Sequence, residues 1–182
     1  MAEVDMLRVF LLLGAVGLTA CAAPSIPRQY TDQAEKGVTL TDLTMRPEAY
    51  REKVVILGGV LVDAREDENR TWLLLKNRPL DLDLVPHLPA DPDGPEGGAY
   101  WVVVGANALP KDHQQWSRVT IVGRVTDQRP PSGIATSPVL AGMYVRGWDA
   151  NWGGYGSKGA TWEAIQSPNA MLSAPKPVLK KE

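Results

Sequence analysis

The feature that most constrains the fold is the apolar run from Val54 to Val62, which carries two glycines in its middle. Its β-branched side chains are typical of a strand, and the run is too apolar to leave one face in water along its whole length. Gly58 and Gly59 indicate a bulge or a sharp bend at mid-strand. We therefore expect a long strand that coils around a core.

Four further segments have the composition or the alternation of strands. They are Thr71–Leu75, Tyr100–Val104, Arg118–Thr126 and Met143–Trp148. The third shows the clearest alternation, because Val119, Ile121 and Val125 point to one side while polar side chains point to the other. We expect the first side to face a core and the second to be an exposed polar face.

The connections between these segments also carry signals. Residues 63–70 are charged and should turn the chain, and residues 79–99 combine aspartate, proline and glycine as loops do. Thr44–Tyr50 should make a short helical turn with Thr44 as its N-cap. The whole pattern predicts a mainly β fold, a small five- to six-stranded OB-like β-barrel with a short N-terminal helical turn. A β-sandwich is the alternative.

A second apolar run, Val9–Gly17, is followed directly by Leu18-Thr19-Ala20-Cys21, which holds the single cysteine of the chain. The run is too short to cross a bilayer as a helix, which takes about 20 apolar residues. A short apolar core before small residues is typical of an export signal. The four residues resemble the lipobox of exported bacterial lipoproteins, which implies cleavage between Ala20 and Cys21. We expect translation to begin at Met6, because the residues before it are acidic where a signal is normally basic.

The lipobox resemblance implies a diacylglyceryl group and an amide-linked acyl chain on Cys21, with no other cofactor. Several acyl chains together hold a protein at a membrane permanently. Such lipoproteins are retained at the inner membrane by an aspartate after the cysteine, whereas this chain has Ala22 and Ala23. The implied location is the inner leaflet of the outer membrane, facing the periplasm. A buried free cysteine on a core helix is the alternative reading of Cys21.

Composition divides the chain and limits what it can do. We predict four parts: a signal peptide over 1–20, a lipidated flexible tether over 21–37, a β domain over 38–166 and a disordered tail over 167–182. The chain is 44% hydrophobic and 22% charged, which suffices for a core. One cysteine allows no intramolecular disulfide. A net charge of −2 lacks the basic excess of a nucleic-acid groove, so we predict no nucleic-acid partner.

Six short motifs follow one another along the folded part. They are Pro47-Glu48-Ala49-Tyr50, Val54 to Val62, Thr71 to Leu75, Arg78-Pro79-Leu80, Val119 to Val125, and Tyr144 to Trp148. Their order resembles that of the Slp family of outer-membrane lipoproteins. The chain departs from the family's pattern at Gly97-Gly98-Ala99-Tyr100-Trp101. The resemblance implies an outer-membrane lipoprotein without an established enzymatic activity, and it supplies no catalytic residues.

Residues that could carry catalysis or bind a metal give weaker signals. Asp91-Pro92-Asp93-Gly94 is similar to part of a calcium loop, but Pro95 stands at the next ligand position, so we predict a solvated acidic loop and no metal site. His87 and His113 are expected in loops, and no Gly-x-Ser-x-Gly nucleophile motif occurs. We therefore predict no catalytic residue and no enzyme.

Aromatic residues make the better case for binding. Trp148, Trp152 and Tyr155 lie on a glycine-rich segment where flat side chains could stack on a sugar or a protein partner. The alternative is that Trp148 closes the end of the barrel and the other two cover an edge. The leading hypothesis is a non-enzymatic lipoprotein that binds or scaffolds an envelope protein or glycan. The rival is a periplasmic hydrolase of cell-wall glycan or peptide that uses the acidic loop.

Overall fold

The computed structural model describes residues 26–67, 69–88, 97–109, 117–130, 137–148 and 160–165. These residues form three short helices and six strands. The helices are α1 (Arg28–Thr31), α2 (Leu40–Met45) and α3 (Pro47–Tyr50). The strands are β1 (Val54–Asp67), β2 (Arg70–Arg78), β3 (Ala99–Gly105), β4 (Arg118–Thr126), β5 (Val139–Trp148) and β6 (Ala160–Ile165). The predicted mainly β fold is confirmed.

The first five strands close into a barrel. Their order is β3-β2-β1-β4-β5, and β3 also pairs with β5, so the two ends of the sheet meet. That closing pair is parallel, whereas the other neighbours are antiparallel. A closed five-stranded sheet with this Greek-key order is the OB-like arrangement predicted from sequence. β6 adds to the free side of β5.

Alternating residues fill the interior. Val119, Ile121 and Val125 of β4 belong to one buried cluster with Tyr100, Val102 and Val104 of β3, as the alternation predicted. Tyr100 is fully buried and its hydroxyl donates to the carbonyl of Gly58 at 3.1 Å. Burial raises the pKa of this phenol far above its usual range, because the charged form would lose its hydration.

A bulge or a sharp bend was predicted at Gly58 and Gly59, and the position of the bulge is wrong. The register of β1 against β2 shifts between Leu61 and Asp63 instead. The glycines serve close packing, since a Cβ on Gly58 would lie 2.5 Å from the carbonyl oxygen of Arg78. The predicted turn over 63–70 is also too long, because β1 continues to Asp67 and β2 begins at Arg70.

The predicted helical turn is really two helices. Thr39 caps α2, because its side chain accepts from the amide of Asp42 while the Asp42 carboxylate accepts from the amide of Thr39. Thr44 is not an N-cap; it lies inside α2 and its hydroxyl donates to the carbonyl of Leu40. Leu40 and Leu43 of this helix are buried in the main core cluster.

Residues 26–37 are packed on the barrel, which differs from the flexible tether predicted over 21–37. Ile26 and Tyr30 are buried against Val54, Val122 and Met143 on the outside of the barrel. The ring of Tyr30 stacks on Tyr144, with centroids 4.9 Å apart. We call residues 26–38 the N-terminal segment. The folded part therefore begins no later than Ile26, because side chains of the barrel exterior offer it an apolar surface.

Candidate functional site

Residues 79–88 form a loop that crosses the outside of β1 and β4, and we call it the Leu82 loop. Asp81 organises it, because its Oδ1 accepts from the amides of Asp83 and Val85 at 2.8 and 2.9 Å. The amide of His87 donates to the carbonyl of Pro79, which closes the base of the loop. Its backbone is therefore held by bonds within the loop.

Trp148 holds this loop on the barrel. Its indole Nε1 donates to the hydroxyl of Thr120 at 2.9 Å, and that hydroxyl donates to the carbonyl of Leu84 at 2.6 Å. Arg118 adds a bond from its Nη1 to the carbonyl of Pro86. Both Trp148 and Thr120 are buried. The exposed polar face predicted for β4 is therefore wrong at Thr120, because the loop covers it.

An apolar groove of about 610 Å³ separates the N-terminal segment from the barrel and the Leu82 loop. We call it the N-terminal groove. Its apolar lining includes Ala34, Val38, Leu40, Ile56, Leu57, Leu80, Leu82 and Leu84, and its polar lining includes Glu35, Lys36, Asn77, Arg78 and Asp81. The volume lies within the range of about 300–1,000 Å³ that is usual for small-molecule sites. An apolar floor with charged groups among the lining suits a ligand with a hydrocarbon part.

Leu82 stands out at the edge of this groove because it is fully exposed. It also lines a second, shallow depression of about 360 Å³ together with Ile26 and Arg28. The first residue of the described chain and the tip of the Leu82 loop therefore share one region of the surface. Sequence analysis missed this region, since nothing local in residues 79–88 indicates that they lie beside residue 26.

The surface that OB-like barrels commonly use for ligands is occupied by packed tryptophans in this protein. That surface lies on strands 2 and 3, whose outward side chains here include Trp72 and Trp101. The two rings meet edge to face with centroids 6.4 Å apart, and both are buried. The guanidinium of Arg65 lies 5.6 Å from the centre of the Trp101 ring. These rings are not available to stack on bases or sugars.

The structure brings no catalytic group together among the residues it describes. His87 is exposed on the Leu82 loop, and its Nδ1 lies 2.9 Å from the carbonyl oxygen of Leu88. No set of three histidine, cysteine, aspartate or glutamate side chains close enough to hold a metal ion occurs in the described ranges. Asp91, Asp93 and His113, the other candidates from sequence, lie outside those ranges.

Of the remaining predicted site residues, one is described by the structure and the others are not. Trp148 is buried on the outside of the barrel, against Thr120 and beneath the Leu82 loop, so it offers no exposed ring. Ala20, Cys21, Trp152 and Tyr155 lie outside the described residues. Lipidation at Cys21 and contact through the two aromatic residues therefore stay predictions. Among the helices that the structure describes, none is long and apolar enough to cross a membrane.

The fold and these surfaces define a small OB-like barrel with an apolar groove and no assembled catalytic centre in its described part. Residues 18–132, well over half of the chain, match the outer membrane lipoprotein Slp family. The chain therefore belongs to the Slp family and is an outer-membrane lipoprotein. This confirms the family and the location that the sequence motifs indicated.

Other comparisons add little about function. No curated protein matches the chain. One similar solved structure is a protein from Leishmania major Friedlin described as an aspartyl-tRNA synthetase, at 14% identity and a TM-score of 0.40. The match covers 69% of this chain and 23% of the synthetase. A likeness at this level says nothing about activity.

Proposed function

We propose that this lipoprotein, anchored through an acylated Cys21, is a non-enzymatic protein that binds the acyl chain of an envelope lipid in the N-terminal groove. The groove carries the proposal: it is apolar, about 610 Å³ in volume, and formed by described residues on three sides. Membership of a lipoprotein family places the barrel at a bilayer, where acyl chains are the commonest apolar groups. Residues 21–25 would then be the tether, in place of the longer one predicted from sequence.

The groove is built to admit an apolar chain without unfolding the barrel. Ile56 and Leu84 are only partly buried in its wall, although both belong to the edge of a packed cluster. Their remaining exposed surface would leave water on binding, which contributes about 25 cal/mol per Å² of apolar area. Lys36 and Arg78 among the lining residues could pair with a phosphate or carboxylate headgroup.

Binding of cis-parinaric acid, a fluorescent fatty acid, to a non-acylated chain that begins at Ala22 tests this proposal. Ala34→Phe should fill the groove and weaken binding at least about tenfold, because a loss of about 1.4 kcal/mol changes an affinity by that factor. Gln33→Phe is the matched control, since it places the same ring one residue earlier at an exposed position outside the lining. Binding should be unchanged in that variant.

A second pair of variants tests the opposite wall. Leu80→Asp should weaken binding by placing a charge in the apolar lining, whereas Leu88→Asp, on the same loop but outside the groove, should not. The proposal is contradicted if all four variants bind cis-parinaric acid with equal affinity while their circular dichroism spectra match that of the unchanged protein.

The predicted contact through Trp152 and Tyr155 is compatible with this function as a second surface for an envelope protein or glycan. Two flat side chains with polar atoms suit such a contact. Trp148 no longer belongs to that surface, because it is buried. The hydrolase alternative has no support from the described residues, since the carboxylate of Asp81 is used to hold its own loop.

A further inference from the structure

The start of the folded part lies very close to the predicted anchor along the chain. Ile26 is only 1% exposed, so its position on the barrel is fixed by packing. Five residue steps separate it from Cys21. Fully extended chain spans at most about 3.6 Å per residue, so the lipid-bearing cysteine can lie no more than about 18 Å from Ile26. The surface around Ile26 must therefore stay near the bilayer.

That surface carries an exposed leucine, Leu82. The backbone of its loop is held in place, so the loop cannot easily move to bury this side chain. Leu82 is fully exposed and lines the same depression as Ile26. Bonds inside the loop and the chain from Trp148 through Thr120 to Leu84 hold the backbone on either side of it. The loop therefore already holds the Leu82 side chain in an exposed position. Little conformational entropy of the loop is lost when this side chain moves into an apolar environment.

We propose that the face around Ile26 and Leu82 rests on the phospholipid bilayer that holds the anchor, with the Leu82 side chain inserted at the boundary between headgroups and acyl chains. The inference rests on acylation of Cys21 as part of the proposed function. It goes further by fixing which face of the barrel meets the membrane. Insertion moves the apolar surface of Leu82 out of water, and the short tether keeps that surface at high local concentration next to the lipid.

The charges on this face limit how the contact works. Arg28 is exposed beside the depression, but Asp32 and Asp83 line it too. Acidic groups at least balance the basic ones, so attraction to anionic lipid contributes little. We therefore expect insertion of Leu82 to depend weakly on the fraction of phosphatidylglycerol and on salt. Contact with a second copy or a protein partner would instead shield Leu82 without any vesicle.

A fluorescent label at position 82 tests the inference in the full lipidated protein. Acylation blocks Cys21, the single native cysteine, so Leu82→Cys supplies the only free thiol for an environment-sensitive NBD label. Glu66→Cys is the matched control, because it is exposed near the far end of β1, eight residues along the strand from Gly58. At about 3.3 Å per residue this places it roughly 26 Å away from the strand position under the loop.

Both labelled proteins are reconstituted into vesicles of phosphatidylethanolamine and phosphatidylglycerol and separated by flotation. We expect the label at 82 to shift to the blue, gain intensity several-fold and lose access to iodide, while the label at 66 keeps its solvent-like emission. The inference is overturned if the label at 82 stays solvent-like on floated vesicles or if both labels respond alike. It is also overturned if the label at 82 is already shielded without vesicles in an unlipidated chain that begins at Ala22 and so lacks Cys21. Protein that fails to float overturns the anchor itself and, with it, this inference.

Discussion

At the scale of single residues, Gly58 and Gly59 lie where β1 comes very close to its neighbours. A Cβ on Gly58 would lie 2.5 Å from the carbonyl oxygen of Arg78 and 2.6 Å from Cδ2 of Leu80. A Cβ on Gly59 would lie 3.0 Å from the hydroxyl oxygen of Tyr100. Long-range neighbours therefore exclude a side chain at Gly58 and leave little room for one at Gly59, and the bulge lies elsewhere in the strand.

The capping box of α2 makes a prediction at this scale. The Thr39 side chain and amide both donate to Asp42, and Arg46 donates to it as well, so the pKa of Asp42 is lowered from 3.8 to about 2. An NMR titration should find this value. In Thr39→Ala the pKa should rise toward 3.8, because the largest cause is removed.

The lowered pKa of Asp42 determines how the stability of the fold depends on pH. A carboxyl with a depressed pKa stabilises the fold above its unfolded value, and the contribution is lost as the pH falls from about 3.8 through about 2. Thr44→Ala is the control, because its hydroxyl bonds to Leu40 and not to the capping box. An Asp42 pKa near 3.8 in the unchanged protein would contradict the bonding described here.

At the scale of elements, the N-terminal segment is the part whose structure changes the interpretation most. Its composition predicts a tether, since only Ile26, Tyr30 and Val38 among its residues are large and apolar. Two of these three side chains are buried on the barrel, and the amide of Glu35 donates to the carbonyl of Val54 at 2.8 Å. A few contacts therefore hold the whole segment.

Removing the ring of Tyr30 should release the N-terminal segment from the barrel. Tyr30→Ala loses the stack on Tyr144 and leaves a cavity, so the free energy of unfolding should fall by about 3 kcal/mol. The amide of Glu35 should also exchange with solvent much faster than in the unchanged protein. Urea unfolding and hydrogen exchange measure the two effects.

Tyr30→Phe is the matched control for this change. It keeps the stacked ring, so its stability should stay within about 0.5 kcal/mol of the unchanged protein. Normal protection of Glu35 in Tyr30→Ala would show that the segment is held by something other than this stack.

At the scale of the whole molecule, closure of the barrel depends on a short parallel contact. In the described part of the chain, three residue pairs join β3 to β5, from Trp101↔Val139 to Val103↔Ala141. The side chains of the middle pair, Val102 and Leu140, point inward and lie in the main core cluster. The barrel therefore closes because its interior is filled, and loss of that interior should open the whole sheet.

Alkaline unfolding tests how well two buried phenols are shielded from water: Tyr100 inside the barrel and Tyr144 beneath the N-terminal segment. Burial raises the pKa of Tyr100 far above its usual 10.0 and raises that of Tyr144 to about 12. The unfolded chain loses these protons above about pH 10 while the folded protein keeps them, so stability should be full below pH 10 and fall as the pH rises toward 12. Urea unfolding between pH 8 and 11 measures this fall.

Tyr100→Phe should show a shallower fall, because one of the two raised groups is gone. It should also lose about 1 kcal/mol at pH 8, since the carbonyl of Gly58 loses its buried donor. Stability that stays constant from pH 8 to 11 in the unchanged protein would mean that these phenols ionise in the fold.

Much of the fold and part of the site follow from local patterns. The bounds of β4 are those predicted, and β3 differs by one residue at each end, because alternating and β-branched runs show their period within the strand itself. β5 was predicted to begin at Met143 but begins at Val139, where Ala141 and Gly142 weaken the signal. β6 was missed as a separate strand.

The sequence by itself determined the family, the outer-membrane location and the β-barrel class, because the period of the strands and the order of the motifs can both be read along the chain. Only the tertiary structure decided that Trp148 is buried and holds the Leu82 loop, that residues 26–38 pack on the barrel, and that Leu82 lies beside Ile26. Each of these depends on groups far apart in the chain that meet through packing. A local pattern carries no information about which distant side chain will cover it.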